Sequence, residues 1–567
     1  MVCLAIGEPR AAAEPIPVLR RSDVVFMYQA SPEVYQAYDA TVLAWGGRPT
    51  SNSLAQASGL LFFGSVGMVT EFARYYERFP HTYTQGLCRD LDGQPYKVPW
   101  LTDHQHKGVP YWWCCTRQPV FQQYLFERVE DTVKAGAHGV HIDDHLGTAG
   151  GLWLGGCFCD RCVAAFREEI RSWPPHELAR AGITNAAAFD TATLRRWRDE
   201  RPGRKIQSHP FWPAFEAFQL RGAAAFMGEL RLLAARVAGK PVPMSANAGL
   251  LWGAHLADYA TLDFFSAEID HHASNRRFDE SPLVAYRLAD AVQRPLASTA
   301  SGQDWAFIKE QNLPGLVRGW IALGYAAGHS LMAPHRQWCY TPEKGTHWYQ
   351  GPTERFAPLY RFARRHAALL DGFANRPDLV VAIPYAAYRR DTAAIVRSLN
   401  RLAASNIVYA IALGGDDIID HPLTLSGLRQ APRLLVLQRG QFKPEDQRLL
   451  QSPDLQAGLV GTLDEAFART LPAVRLDSPG QARILPRVSP GRAAIHVVNW
   501  DYDLARDDVR PLSNLRLHID LGALGVAGAR SARWHQPEAE PMNLSLREGE
   551  IEIPSLALWG ILEIVRP

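Results

Sequence analysis

Short unbroken apolar runs alternate with longer amphipathic segments through the first two thirds of the chain. Residues 24–28, 41–45 and 60–68 are runs of this kind. They lack polar alternation, which predicts parallel strands buried on both faces. From Gln118 a helix is expected, with Phe121, Leu125, Val129 and Val133 recurring every four residues. Gly136 and Gly139 punctuate its end, and Val140 and Ile142 read as the next strand. Val163, Phe166 and Ile170 mark a further helix, and residues 215–237 a longer one. Residues 241–246, 262–268, 295–299 and 330–334 bring the strands to eight. That alternation predicts a (β/α)8 TIM barrel over residues 20–372. Two stretches break the rhythm: an irregular aromatic segment at 70–117, and a polar, Pro-rich excursion at 175–210.

After Pro377 the pattern restarts on a smaller scale. Apolar runs at 379–383, 408–412 and 433–437, with a helix over 391–404, predict a flavodoxin-like, doubly wound α/β domain at 377–480. It has no G-x-G-x-x-G turn, so no dinucleotide is expected there. From residue 481 the period becomes two: Leu515, Leu517, Ile519 and Leu521 alternate with Arg516, His518 and Asp520. This predicts a small C-terminal antiparallel β-sandwich domain at 481–567.

Composition narrows the function. A chain of 567 residues with 47% hydrophobic and 21% charged residues suits a multidomain globular enzyme. A formal net charge of +2 gives no electrostatic reason to expect nucleic acid or an anionic membrane as partner. No apolar stretch approaches the ~20 residues of a membrane span. The N-terminal run at 1–13 lacks a basic region and a full apolar core, so no signal peptide is expected. Of eight cysteines, Cys157, Cys159 and Cys162 are crowded together and Cys114 and Cys115 are adjacent. That is metal-site spacing rather than a disulfide framework, and it points to a reducing, cytoplasmic setting.

The chemistry gathers at predicted strand ends, where barrels carry their active sites. Asp143 and Asp144 close the fourth strand, Glu268 closes the sixth, and Asp304 follows the seventh. Paired carboxyls at such positions suit cleavage of a glycosidic bond, in which one acid protonates the leaving oxygen and another acts as nucleophile or base. His145, His271, His272, His335, Arg336 and Gln303 are candidate partners for sugar hydroxyls. Trp113, Trp305 and Trp338 are candidate platforms for sugar faces. Cys157, Cys159 and Cys162 with Cys115 or Cys114 would complete a closed four-thiolate shell for a structural Zn2+.

The order of strand, paired acids, loop, Cys157-Phe-Cys159-x-x-Cys162 and Val163-Ala-Ala-Phe166-Arg167 resembles glycoside hydrolase family 42, the β-galactosidase-like barrels. The resemblance implies a barrel, a flavodoxin-like middle domain, a C-terminal β domain, a zinc loop and a homo-oligomer. Those enzymes carry Asn-Glu where Asp143-Asp144 stands here, so Asp144 takes the acid/base place and Asp143 the place of the supporting Asn. The family's seventh-strand Glu has no counterpart: residues 297–305 hold Asp304 as their sole acid. The chain therefore resembles a divergent relative, and galactoside specificity does not carry over. Glu268 is the best second acid. Barrels pairing acids from the fourth and sixth strands also occur among α-glycosidases, with the fourth-strand Asp as nucleophile, which leaves the role on strand four open. The expected function is a glycoside hydrolase acting on an oligo- or polysaccharide. Two alternatives are a non-catalytic carbohydrate-binding barrel and a metal-dependent hydrolase built on Asp103, His104, His106 and His145.

Overall fold

The computed structural model describes residues 18–50, 53–478 and 480–567; the N-terminal run at 1–13 lies outside the described residues. Eight parallel strands follow one another around a barrel: β1 (Val25–Phe26), β2 (Val42–Leu43), β3 (Leu61–Gly67), β4 (Gly139–Asp143), β5 (Met244–Ala246), β6 (Phe264–Ile269), β7 (Leu296–Ala300) and β8 (Ser330–Leu331). A parallel bridge from Phe26 to Ala333 joins the first strand to the last and closes the cylinder. Alternate residues face inward. Met27, Ala44, Phe63, Phe264, Ala297 and Met332 form one cluster inside the barrel. Val66, Val140, Ile142, Met244 and Phe265 point outward and pack on the helices. The helices expected from the four-residue spacing are Pro119–Lys134, Asp160–Ile170 and Trp212–Ala238.

Residues 175–210 are not a simple excursion. Short helices at Pro175–Arg180 and Thr191–Asp199 enclose a satellite core in which Leu178, Ile183, Leu194 and Ile206 meet Phe166, Phe211 and Phe215. One apolar residue per turn is enough when a helix docks along a single narrow stripe. A second feature absent from the sequence reading is an antiparallel hairpin after β8, Arg336–Thr341 with Gly345–Gln350.

Beyond the barrel lies a four-stranded parallel sheet in the order Tyr409–Gly414, Leu379–Pro384, Arg433–Val436, Leu459–Val460. This is the doubly wound pattern with the first strand between the second and third. The C-terminal part is a six-stranded antiparallel sheet packed on a three-stranded one, with a core including Leu515, Leu517, Ile519 and Trp534. Leu521, expected to continue the alternation, lies past the strand Leu512–Ile519. The edge strand of the larger sheet is Ala374–Asn375. The chain thus touches the sandwich before forming the parallel sheet, then returns to it. Among the described residues no helix is long and apolar enough to cross a membrane.

Arg487, fully buried, fastens the sandwich to the barrel. Its guanidinium donates to the carbonyls of Ala327 and Phe373 at 2.6 Å each. Gly328 makes this approach available: it sits at φ +85°, and a Cβ there would stand 2.1 Å from the guanidinium carbon. Gly328→Ala is expected to lower the thermal unfolding midpoint, since the left-handed backbone alone costs about 1–2 kcal/mol before the clash is counted. Gly228→Ala, in open space on the helix Trp212–Ala238, is expected to raise stability by about 0.5–1 kcal/mol. Calorimetric scans of the two variants check the opposite signs.

Candidate active site

Inward parity on adjacent strands builds the site. His141 faces the barrel axis, bonded to Ser245 at 3.0 Å and stacked on Trp45 at 4.4 Å. Trp45 in turn donates to Ser266. Two residues further along each strand, the same parity carries Asp143, Asn247 and Glu268 to the carboxyl end of the barrel. The Asn247 amide nitrogen lies 3.2 Å from Asp143 Oδ1 and 3.4 Å from Glu268 Oε2. Its carbonyl oxygen accepts from the Glu268 backbone amide at 3.0 Å. One side chain therefore orients both acids and holds their oxygens within two hydrogen-bond lengths of each other. Asp144 follows the strand end in the left-handed region at φ 54°. It also lines the cleft, but its buried Oδ2 has no hydrogen-bond partner among the described residues.

The three carboxyls do not share one electrostatic environment. Burial raises Asp143 above the ordinary carboxylate range, while donors from Asn247, Thr70 and the Asp144 amide pull it back. Burial and the charge of Asp143 push Glu268 up to about 8. Asp144 is driven well above its usual value by burial, then by the charges of Asp143 and Glu268. Three carboxyls this close cannot all ionise. Asp143, with donors on both oxygens, is the best supported of the three in its charged form.

The acids open into a cleft of about 970 Å³. Tyr28, Trp45, Trp338, Tyr340 and Trp348 form one wall, and Trp113, Trp153, Trp252, His145 and His255 stand in the other loops. Arg336 lies over the Trp348 ring at 4.0 Å, and Trp348 meets Tyr28 edge to face at 5.3 Å. Of the residues singled out in the sequence, Asp143, Asp144, Glu268, His145, Trp113, Gln303, Arg336 and Trp338 all line this cleft.

Five others do not. Asp304 accepts backbone amides of His271 and Ala273 at 2.7 Å each, so it ties down the loop after β6 instead of facing a substrate. His271 is buried behind that loop, 4.5 Å from the Trp320 ring, and desolvation lowers it to about 3. His272 takes a left-handed turn at φ 54° and is exposed outside the cleft. Trp305 is core: it donates to Thr299 at 2.9 Å and stacks on Tyr349. His335 packs beside Phe26 and bonds Gln350. Asp103 and His104 pair with each other, and His106 pairs with Glu77; the structure does not gather them with His145 into a ligand cluster. Asn247, Trp252, His255 and Tyr28 also stand on the cleft, although the sequence does not single them out. Only Asn247 left a trace, as a polar residue directly following a predicted strand.

Behind Trp113, the sulfurs of Cys115, Cys157, Cys159 and Cys162 all lie within 4.8 Å of one another and are buried. Cys115 Sγ is 3.7 Å from those of Cys159 and Cys162. A tetrahedral shell with Zn–S bonds of about 2.3 Å has sulfur–sulfur edges of about 3.8 Å, so the donor set fits zinc. Cys114 turns away, its thiol directed at the Trp112 carbonyl. The choice between the adjacent cysteines therefore falls on Cys115.

No family model matches the chain. In sequence it is similar to the α-agarase of Thalassotalea agarivorans, 22% identical over 605 residues, covering 96% of this chain and 40% of that protein. It spans well under half the length of the α-agarases it matches. Among solved structures, the β-galactosidase from Bacillus circulans sp. alkalophilus superposes with a TM-score of 0.61 at 11% identity, covering 96% of this chain and 100% of that one. A catalytic mutant of the family 42 β-galactosidase from G. stearothermophilus gives a TM-score of 0.56 at 10% identity, covering 96% and 98%. Along nearly its whole length, the chain has the fold of the family 42 β-galactosidases.

Proposed function

We propose that this chain is a glycoside hydrolase acting on a polysaccharide, with agarose as its substrate and Asp143 and Glu268 as its reacting pair. The observation that carries the reading is the single Asn247 amide shared by the two carboxyls. Similarity to the α-agarases supports the choice of polymer and of an α-linked bond. Carboxyl groups about 5–5.5 Å apart go with retention of configuration, and about 6.5–9.5 Å with inversion. Contacts of 3.2 and 3.4 Å to one amide nitrogen keep the two carboxyl oxygens no further apart than about the lower edge of the inverting range, and we take the reaction as a double displacement.

In the first step an Asp143 oxygen attacks the anomeric carbon while Glu268, protonated below about pH 8, gives its proton to the departing glycosidic oxygen. The carbon–oxygen bond breaks and a glycosyl ester forms on Asp143. In the second step the Glu268 carboxylate takes a proton from water as that water attacks the same carbon and releases Asp143. The net change is addition of one water across the bond. Asp144, displaced one residue beyond the inward-facing Asp143, is not in this pair. This reading moves the reacting group on strand four from Asp144 to Asp143.

We also infer that Cys115, Cys157, Cys159 and Cys162 hold a structural zinc ion, which would clamp the loop after β4 to the aromatic segment before it. A closed four-thiolate shell leaves no position for substrate; bound there, the ion supplies cross-linking.

Glu268→Gln is expected to lower the rate on agarose by about 10²–10⁴-fold, the range for a lost general acid. It should keep far more of its kcat/KM on an aryl glycoside, whose leaving group needs no proton, with the glycosyl ester accumulating after a burst because the Glu268 base is gone. Asp143→Asn should lose both activities. Reducing-end assays on agarose with both variants check this, and full activity in either removes the pair. The pH profile follows from the sign of the Glu268 shift: the acid form is needed, so kcat/KM of the wild type falls as pH rises through about 8, and Glu268→Gln lacks that limb. For the thiolate shell, elemental analysis is expected to find one zinc per chain. Cys162→Ser should lose the ion and lower the unfolding midpoint.

A further inference from the structure

Four buried polar atoms without hydrogen-bond partners among the described residues occur on neighbouring side chains beside the carboxyl pair. They are Asp144 Oδ2, His145 Nε2, His255 Nδ1 and Asp258 Oδ1. His145 Nδ1 is 2.7 Å from Asp258 Oδ2, which orients the imidazole and leaves Nε2 to face another partner. The His255 ring meets the His145 ring edge to face at 5.1 Å, and the Trp252 ring lies 5.6 Å from His255. Asp144, His145, His255 and Trp252 all line the cleft. Buried polar groups ordinarily find partners, and leaving one unmade costs about 1–3 kcal/mol. Three of them, on Asp144, His145 and His255, belong to side chains that line one wall of the cleft, which marks a place where a polar ligand belongs.

The indole above the row points the same way. Trp153, Trp252 and Trp348 are the tryptophans among the exposed large apolar residues, at 56%, 61% and 39%, and all three stand on this cleft. Trp252 is nonetheless held firmly. Tyr388 donates to the Leu250 carbonyl at 2.5 Å and Tyr385 to that of Gly253 at 2.8 Å, so the loop is braced by the middle domain. A Cβ on Gly253 would come within 2.6 Å of the Arg389 backbone, so the two surfaces are in close contact. An exposed indole on a braced backbone, beside donors and acceptors, suits the apolar face and hydroxyl edge of a pyranose. An anion would meet a mouth lined by Asp143, Glu268 and Asp270 with few cations beside them. A cation would need ligand atoms converging on one point, and among the described residues the cysteine set alone does so.

We propose that Trp252, His255, His145 and Asp144 form a binding subsite for a neutral sugar ring, next to the ring whose bond is broken. The subsite rests on the hydrolase reading and adds to it that the substrate is held through at least one further unit on the β4–β5 side of the mouth. The full chain carrying Glu268→Gln, whose turnover is slowed enough for binding to be read, tests this by calorimetric titration with agarose oligosaccharides of increasing length. Affinity should step up at the length that reaches the subsite. Adding Trp252→Ala, or separately His255→Phe, should remove that step, a loss of about tenfold for the long members with the short ones unchanged. Trp252 is surface-exposed, so its truncation does not threaten the fold, and the two variants test the platform and the polar row separately. Long-chain affinity within twofold of the parent in both variants overturns the subsite, as does an equal loss at every length. A parent that binds no member of the series, with a wild type that cleaves none, overturns the hydrolase reading and the subsite with it.

Discussion

Three carboxyl groups within one desolvated barrel mouth cannot all be charged, and the surrounding structure decides which one is. Asp143 receives donors from Asn247, Thr70 and the Asp144 amide. Glu268 receives one long contact from the same Asn247, and Asp144 Oδ2 receives none. The ranking of charged forms follows that ranking of donors. Parity along the strands then fixes where the acids point. His141, Ser245 and Ser266 fill the layer below, His141 bonded to Ser245 and Ser266 to Trp45, so the upper layer is left with Asp143, Asn247 and Glu268. Two carboxyls in different surroundings arise from one Asn and one alternation rule.

The outer parts of the chain hold the loops around that mouth. Cys115 lies two residues after Trp113, which lines the cleft, and its neighbour Thr116 donates its backbone amide to Thr148 Oγ1 in the loop after β4, whose hydroxyl in turn reaches the Cys115 sulfur. The middle domain grips the β5 loop through Tyr385 and Tyr388. The sandwich reaches the helical side of the barrel through Asp507, which accepts from Gly315, Arg355 and Tyr502. Rigid loops matter because a sugar platform that must first order itself spends binding energy on its own side chains.

Much of this was legible in the sequence. The eight strands were, because parallel strands buried on both faces leave unbroken apolar runs. So was the gathering of the cysteines, because Cys-x-Cys-x-x-Cys sets three thiols close together at the start of one helix. Which of Asp143 and Asp144 joins Glu268 was not: the answer depends on the strand ending at Asp143 and the backbone turning left-handed at Asp144. His271, Trp305 and Asp304 misled for a common reason. A histidine, tryptophan or aspartate at a strand end is as useful for closing the core and capping a loop as for binding, and only packing separates the uses. The hairpin after β8 escaped because its strands carry mixed polar and aromatic residues on both faces.

The missing acid on the seventh strand has a physical counterpart. Thr299, whose register partner is Glu268, is fully buried, donating to Gln337 at 2.8 Å while accepting from Trp305 at 2.9 Å. Gln337 belongs to the hairpin, and Trp305 to the helix Gly302–Gln311. That end of β7 is filled by its own neighbours, and a carboxylate introduced among them would lose its water without gaining a cation. One strand back, the mouth is open and Asn247 supplies the donors. A pair spanning strands four and six puts both acids on strands flanking β5, so one β5 side chain can serve them both. A partner on strand seven would lie beyond the reach of that amide.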